Sequence, residues 1–141
     1  MTERRILVDT WAWLALYNQN DSQHAIAVPA YNELLDEAYI LVTTNAVLTE
    51  TYTNLRRWAS HAIAVRFGRT IQAVSETGAL EIVRLTEDDE KEAWTIFEMY
   101  DTVKDLSFTD CTSFAAMRRL GLTEVFTADK HFAMLGFVAH P

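Results

Sequence analysis

Arg5-Ile6-Leu7-Val8-Asp9 is the run on which the fold turns. Three aliphatic residues stand in succession and stop at an acid. A run apolar on both faces reads as a strand buried on both faces, as in parallel sheets, and places Asp9 at its carboxyl end. Helix-period apolar residues follow at once: Trp11, Leu14, Ala15 and Trp13, Leu16, Tyr17. A strand passing straight into a helix is the first half of a βαβ unit.

The remaining chain repeats that alternation. After a turn cluster at Asn18 to Asp21, Ser22 to Ala38 reads as a helix with Ile26, Tyr31, Leu34, Leu35 and Ala38 inward. Pro29 either kinks this helix or stands in the first turn of a later start. Tyr39 to Thr43 is a second strand, and Thr44 and Asn45 are cap residues for a helix with the inner stripe Val47, Leu48, Thr51, Tyr52, Leu55, Trp58 and Ala59. Ala62 to Thr77 is helical and Gly78 stops it. Leu80 to Leu85 is a strand, and Thr86 caps a helix whose first turn carries Glu87, Asp88 and Asp89, as the helix dipole favours. A polar loop, Asp101 to Leu106, leads to a helix capped by Ser107 or Thr109, apolar on most sides and ended by Gly121. Glu124 to Thr127 is a strand, Ala128 to Phe132 a turn with a short helix, and Phe137-Val138 a last edge strand. Strands alternating with helices predict an α/β protein: a central parallel sheet covered on both faces, one domain over residues 1–141.

Composition narrows the function classes. The chain has 141 residues, half of them apolar, and one cysteine, Cys111, so an internal disulfide is excluded. The charged start Met1-Thr2-Glu3-Arg4-Arg5 followed by a run interrupted at Asp9 is not a signal peptide, and no apolar stretch is long enough to span a bilayer. A cytoplasmic location without membrane attachment is expected. The net charge of −8 repels nucleic acid at long range. A polyanionic substrate would need local attraction, from a bound cation or a few placed Arg and Lys.

Four acids stand out by position: Asp9 at the end of the first strand, Glu50 early in the helix after the second, Asp110 in the first turn of the buried helix, and Asp129 just past a late strand. Ligands of parallel α/β sheets bind at the carboxyl edge. Asp9, Asp129 and the start of the Glu50 helix share that edge, and the Asp101 to Leu106 loop would bring Asp110 round to it. Each acid has a plainer reading alone: Glu50 as a solvated helix residue, Asp110 as a first-turn dipole acid, Asp129 as a cap. Together they make a pocket of like charges, which a divalent cation with oxygen ligands neutralises. Such an ion activates water and stabilises charge on a phosphoryl oxygen. His24, His61 and His140 show no zinc spacing, and Cys111 reads as a small core residue.

The pieces Val8-Asp9-Thr10, Thr44-Asn45-Ala46-Val47-Leu48-Thr49-Glu50, Ser107-Phe108-Thr109-Asp110-Cys111 and Phe126-Thr127-Ala128-Asp129-Lys130-His131-Phe132 come in an order that resembles the PIN-domain family, and most of all its VapC-type ribonuclease toxins. The resemblance runs from about Ile6 to Phe132. It implies a three-layer α/β/α fold and cleavage of single-stranded RNA dependent on Mg²⁺ or Mn²⁺. Asp9, Glu50, Asp110 and Asp129 match the family's acidic quartet as catalytic and metal-binding residues, Asp9 and Asp110 the firmest. Thr10, Asn45 and Thr127 match polar positions that hydrogen-bond the carboxylates or their waters. A cognate antitoxin, which such proteins grip with the helix ending at Trp58, and a homodimer are implied as well. One departure stands at Trp11, where the family often has Ser. Two competing readings are a catalytically idle PIN-like module that binds RNA or protein, and a phosphohydrolase of haloacid-dehalogenase type. The latter needs a second acid two residues after Asp9, where Trp11 stands.

Overall fold

In the computed structural model, which describes residues 3–141, five strands form one sheet in the order β3-β2-β1-β4-β5, every neighbouring pair parallel. Met1 and Thr2, the beginning of the charged start and of the expected 1–141 domain, lie outside the described residues. The strands are β1 (Arg5–Val8), β2 (Ile40–Thr44), β3 (Leu80–Val83), β4 (Glu124–Phe126) and β5 (Val138–His140). The helices are α1 (Thr10–Tyr17), α2 (His24–Asp36), α3 (Asn45–Trp58), α4 (His61–Glu76), α5 (Glu87–Met99), α6 (Phe108–Leu120) and α7 (Lys130–Met134).

β1 is the central strand, and its side chains alternate between two cores, as the two-residue period requires. Ile6 and Val8 pack with Trp13, Val47, Leu55 and Phe67 on the face covered by α1 to α4. Leu7 and Val42 pack with Ile96, Phe114, Met117 and Phe132 on the face covered by α5 to α7. These are the two helical layers of the expected α/β/α arrangement. Val8 pairs with Phe126, so Asp9 leaves the sheet beside Thr127.

Local differences from the expectation have physical causes. α2 runs through Pro29, and Ala27 and Leu34 are its buried residues. Ile26 and Leu35 face outward, and Ala38, expected inward, sits beyond the helix with φ 61 in the turn to β2. β3 ends at Val83 because the backbone N–H of Leu85 donates to Asn45 Oδ1 (2.9 Å) instead of to a neighbouring strand. α5 and α6 are an antiparallel pair: Arg119, near the end of α6, meets Asp89 in the first turn of α5, and Phe97, near the end of α5, meets Phe108 at the start of α6. It is therefore α5 that delivers the chain to the start of α6, and the segment from Asp101 to Leu106 only turns it.

Candidate metal centre

The site is built on helix beginnings and strand ends. Ser107 caps α6: its Oγ accepts from the Asp110 backbone N–H (3.0 Å), while Asp110 Oδ2 accepts from the Ser107 N–H (3.2 Å). This reciprocal capping box fixes the Asp110 carboxylate with one oxygen committed to backbone. Eight successive residues, Asp110 to Met117, are buried, so the helix cannot shift without opening the core.

Thr127 ties the other two aspartates together. Its hydroxyl donates to Asp9 Oδ2 (2.9 Å) and accepts from the Asp129 backbone N–H (3.0 Å). Asp129 in turn caps α7, with Oδ1 accepting from the His131 N–H at 2.9 Å. His131 then folds back. Its Nδ1 lies 2.5 Å from Asp129 Oδ1 and 3.7 Å from Asp110 Oδ2, while Nε2 is 3.0 Å from Asp105 Oδ1. Donor atoms of Asp110, Asp129 and His131 all lie within 4.8 Å of one another. Asp9 and Glu50 stand outside that tightest group.

The electrostatics follow from crowding. Burial raises the Asp9 carboxyl to about 7, aided by the charge of Asp110 and opposed by the Thr127 hydrogen bond. Burial, then the charge of Asp129, raises Asp110 to about 6, against the Ser107 hydrogen bonds. Both acids thus hold protons more tightly than an ordinary carboxyl does, as crowded, buried carboxyls of a cation site do. The hydrogen bond from His131 lowers the Asp105 carboxyl, which fits Nε2–H as the donor of that pair. The other ring nitrogen, Nδ1, is buried, faces the Asp129 and Asp110 carboxylates and makes no hydrogen bond.

This arrangement has known counterparts. The model of the PIN domain matches residues 6–138. The chain belongs to the PIN-domain family. Within it the chain is 34% identical, over 94% of its own length and 95% of the other's, to the 23S rRNA-specific endonuclease VapC20 of Mycobacterium tuberculosis. The crystal structure of that protein, described as a Sarcin-Ricin loop cleaving toxin, superposes with a TM-score of 0.79 over 94% of this chain and 96% of that one, at 33% identity. The VapBC2 structure from Rickettsia felis, bound to a promoter DNA fragment, shares the fold at a TM-score of 0.68 and 12% identity, over 96% of this chain and 97% of that one.

In this PIN domain the residues singled out by sequence divide four ways. Asp9, Asp110, Asp129 and Thr127 converge. Glu50 is half-buried on α3, which packs against α6, and lies apart from the tight group. Asn45 uses its amide oxygen to accept from the Leu85 backbone N–H, which pins the β3–α5 connection. Thr10 is buried, and its Oγ1 has no hydrogen-bond partner. His131, which from sequence reads as a structural residue or a phosphate contact beside Asp129, joins the donor cluster. The signal was its place two residues after Asp129, on the first turn of the helix that Asp129 caps.

These residues fit a metal ion. The carboxylates supply hard oxygen donors, and two orphaned buried polar atoms, His131 Nδ1 and Thr10 Oγ1, belong to residues of the cluster or next to it. Trp11 stacks edge-on against Phe126 with ring centroids 6.2 Å apart, so at this position an aromatic is absorbed into packing where the family often has a hydroxyl.

Proposed function

We propose that this PIN domain, a single domain over residues 1–141, is a Mg²⁺- or Mn²⁺-dependent endoribonuclease that cleaves single-stranded RNA as the toxin of a toxin–antitoxin pair. The observation that carries the reading is the convergence of Asp9, Asp110 and Asp129, two of them with carboxyls raised to about 7 and about 6. Asp9, Glu50, Asp110 and Asp129 are the acids of the site, with Asp9 and Asp110 as the principal metal ligands. A bound divalent ion would supply an activated water and charge stabilisation at the scissile phosphate. The chain's own residues do the positioning. Thr127 holds Asp9 and Asp129 in register, and Ser107 fixes Asp110. Glu50 reaches the site from the α3 side. Thr10, with its free hydroxyl, is placed to bond a metal-bound water, whereas Asn45 acts by shaping the wall through Leu85.

Ribosomal RNA is the first substrate class to test, because the relative that is 34% identical is named for cleaving it. The partners are a cognate antitoxin protein, which fits the VapBC assembly among the structural neighbours, and a second copy of the chain. The location is cytoplasmic, in keeping with the described residues having no helix long and apolar enough to cross a membrane.

The test is cleavage of purified ribosomal RNA and of a hairpin carrying the sarcin–ricin loop by antitoxin-free protein. Cuts that need Mg²⁺ or Mn²⁺ and vanish in Asp9→Asn and Asp110→Asn are expected. No metal-dependent cleavage by folded protein that still binds RNA would favour the idle-module reading.

A further inference from the structure

A cleft of about 760 Å³ opens beside the acidic cluster, between the Asp101 to Leu106 loop and α7. Its lining includes Val103, Lys104, Asp105, Lys130, His131 and Met134. His131 is its inner wall. One nitrogen of that ring bonds Asp105 and the other lies 2.5 Å from Asp129 and 3.7 Å from Asp110. A single imidazole therefore separates the cleft from the carboxylates.

The chemistry of the walls is mixed in a particular way. Val103 and Met134 offer apolar surface, with Met134 44% exposed. Lys104 and Lys130 are exposed on opposite sides of the opening, one from the loop and one from α7. Asp105 is the one acid among the lining residues, and it is engaged by His131 at 3.0 Å. Lys130 approaches it only to 3.9 Å, with 81% of its side chain exposed. Lys104 makes no ion pair among the described residues. Arg4, Arg5, Arg118 and Arg119 are, by contrast, all tied to carboxylates. On a chain of net charge −8, the lip of this cleft beside the acidic cluster carries one lysine without an ion pair among the described residues, Lys104, and one held only loosely by Asp105, Lys130.

Resting on the ribonuclease reading above, we propose that this cleft is the subsite for the nucleotide next to the scissile phosphate. Lys104 and Lys130 hold phosphates of the RNA strand, and Val103 and Met134 lie against a base. Cavities of about 300–1,000 Å³ take ligands of this size, and lysine holds phosphate as a point charge needing no fixed orientation. The apolar floor takes any base, so the subsite contributes grip and direction more than sequence choice.

The experiment is steady-state cleavage of the RNA cut in the assay above by wild type and by the double variant Lys104→Ala/Lys130→Ala, across a salt series. Both lysines are exposed, and an unchanged melting temperature and Mn²⁺ affinity confirm an intact fold and metal site. The double variant is expected to raise KM about 10-fold or more with kcat within about two-fold, and to flatten the log KM against log salt slope by about 1.4, at about 0.7 per lost contact on a single strand. Met134→Asp is expected to raise KM as well. Cleavage by both proteins with equal KM and equal salt slope would overturn the subsite and leave the ribonuclease reading standing. No cleavage by the wild type would overturn that reading, and this one with it. Unchanged RNA kinetics together with weakened binding of a poly-glutamate peptide would assign the cleft to an acidic protein segment, which also overturns the proposal.

Discussion

The raised carboxyls make a stability prediction that needs no substrate. The perturbation is pH, applied to metal-free protein, with Asp9→Asn as the control. Asp9 moves from 3.8 to about 7 on folding, which disfavours its charged folded form by about 4 kcal/mol at 1.36 kcal/mol per tenfold. Because the folded pKa lies above the unfolded one, the folded state binds the extra proton. Stability from this group is fully present below the unfolded value and is lost as pH rises through about 7. Lowering pH from about 8 to about 5.5 should therefore add roughly 2 kcal/mol from Asp9 and a little under 1 kcal/mol from Asp110, whose carboxyl sits at about 6. Part of the Asp9 shift is repulsion from Asp110, so the two contributions overlap. Asp89 and Glu124 are lowered and titrate below this window, where their loss has the opposite sign. For a domain of this size the gain corresponds to a melting temperature higher by roughly 5–10 °C at the lower pH. Asp9→Asn should abolish most of the dependence and stabilise the protein at the higher pH. Saturating Mn²⁺ should reverse the slope, because metal binding needs deprotonated ligands. The assay is thermal or urea unfolding with chelator and with Mn²⁺. A flat or inverted pH dependence without metal, together with an Asp9→Asn variant less stable at about pH 8, would refute the claim that burial and crowding hold these carboxyls above their ordinary values in the folded state.

Three further substitutions separate the elements of the account. Thr127→Val removes the hydroxyl that joins Asp9 and Asp129; a loss of about 1–3 kcal/mol is expected by chemical denaturation, with a further upward move of the Asp9 carboxyl visible by NMR titration. Arg119→Ala strips both hydrogen bonds, at 2.8 and 2.9 Å, from the buried Asp89 carboxylate; a cost of about 2 kcal/mol, reduced by the partial exposure of the arginine, should appear as lower stability without change in metal affinity. Glu50→Gln should leave stability within about 0.5 kcal/mol and weaken Mn²⁺ binding less than Asp9→Asn does, since Asp9 shares the Thr127 hydroxyl with Asp129 and, among the described residues, no hydrogen bond ties Glu50 to the cluster; an equal loss of affinity in calorimetry would place Glu50 among the principal ligands instead.

The fold was legible because the strands are short apolar runs with an acid or a cap residue at their carboxyl ends. Arg5 to Asp9 and Tyr39 to Asn45 declare both their burial and their polarity. The convergence of Asp9 and Asp129 followed from the parallel sheet alone, since both leave strands at the same edge. The position of Asp110 depended on something local sequence does not encode, the antiparallel packing of α5 on α6, which is set by pairs such as Asp89 with Arg119 thirty residues apart in the chain. Asn45 carries a related ambiguity: a cap-type residue at a strand end has several uses, and the path of Leu85 gives its amide oxygen one of them. On α2 the expected inward position of Leu34 holds, whereas Ile26 and Leu35 face outward and Ala27 is buried, because neighbouring apolar residues leave the edge of the stripe undecided by periodicity alone. The part of His131 is not legible because a histidine beside a capping aspartate carries no periodic signal. Its meaning comes from the ring turning back over Asp129 toward Asp110.

Isothermal titration of Mn²⁺ into wild type, Asp9→Asn and Asp110→Asn, repeated in two buffers of different protonation enthalpy at about pH 6.5, bears most directly on the central claim. Binding by the wild type with net proton release is predicted, because carboxyls at about 7 and about 6 must give up protons to take the ion. Each substitution is predicted to weaken affinity by about 10-fold or more and to reduce the protons released. Equal affinity in all three proteins, or binding with no proton release, would contradict it.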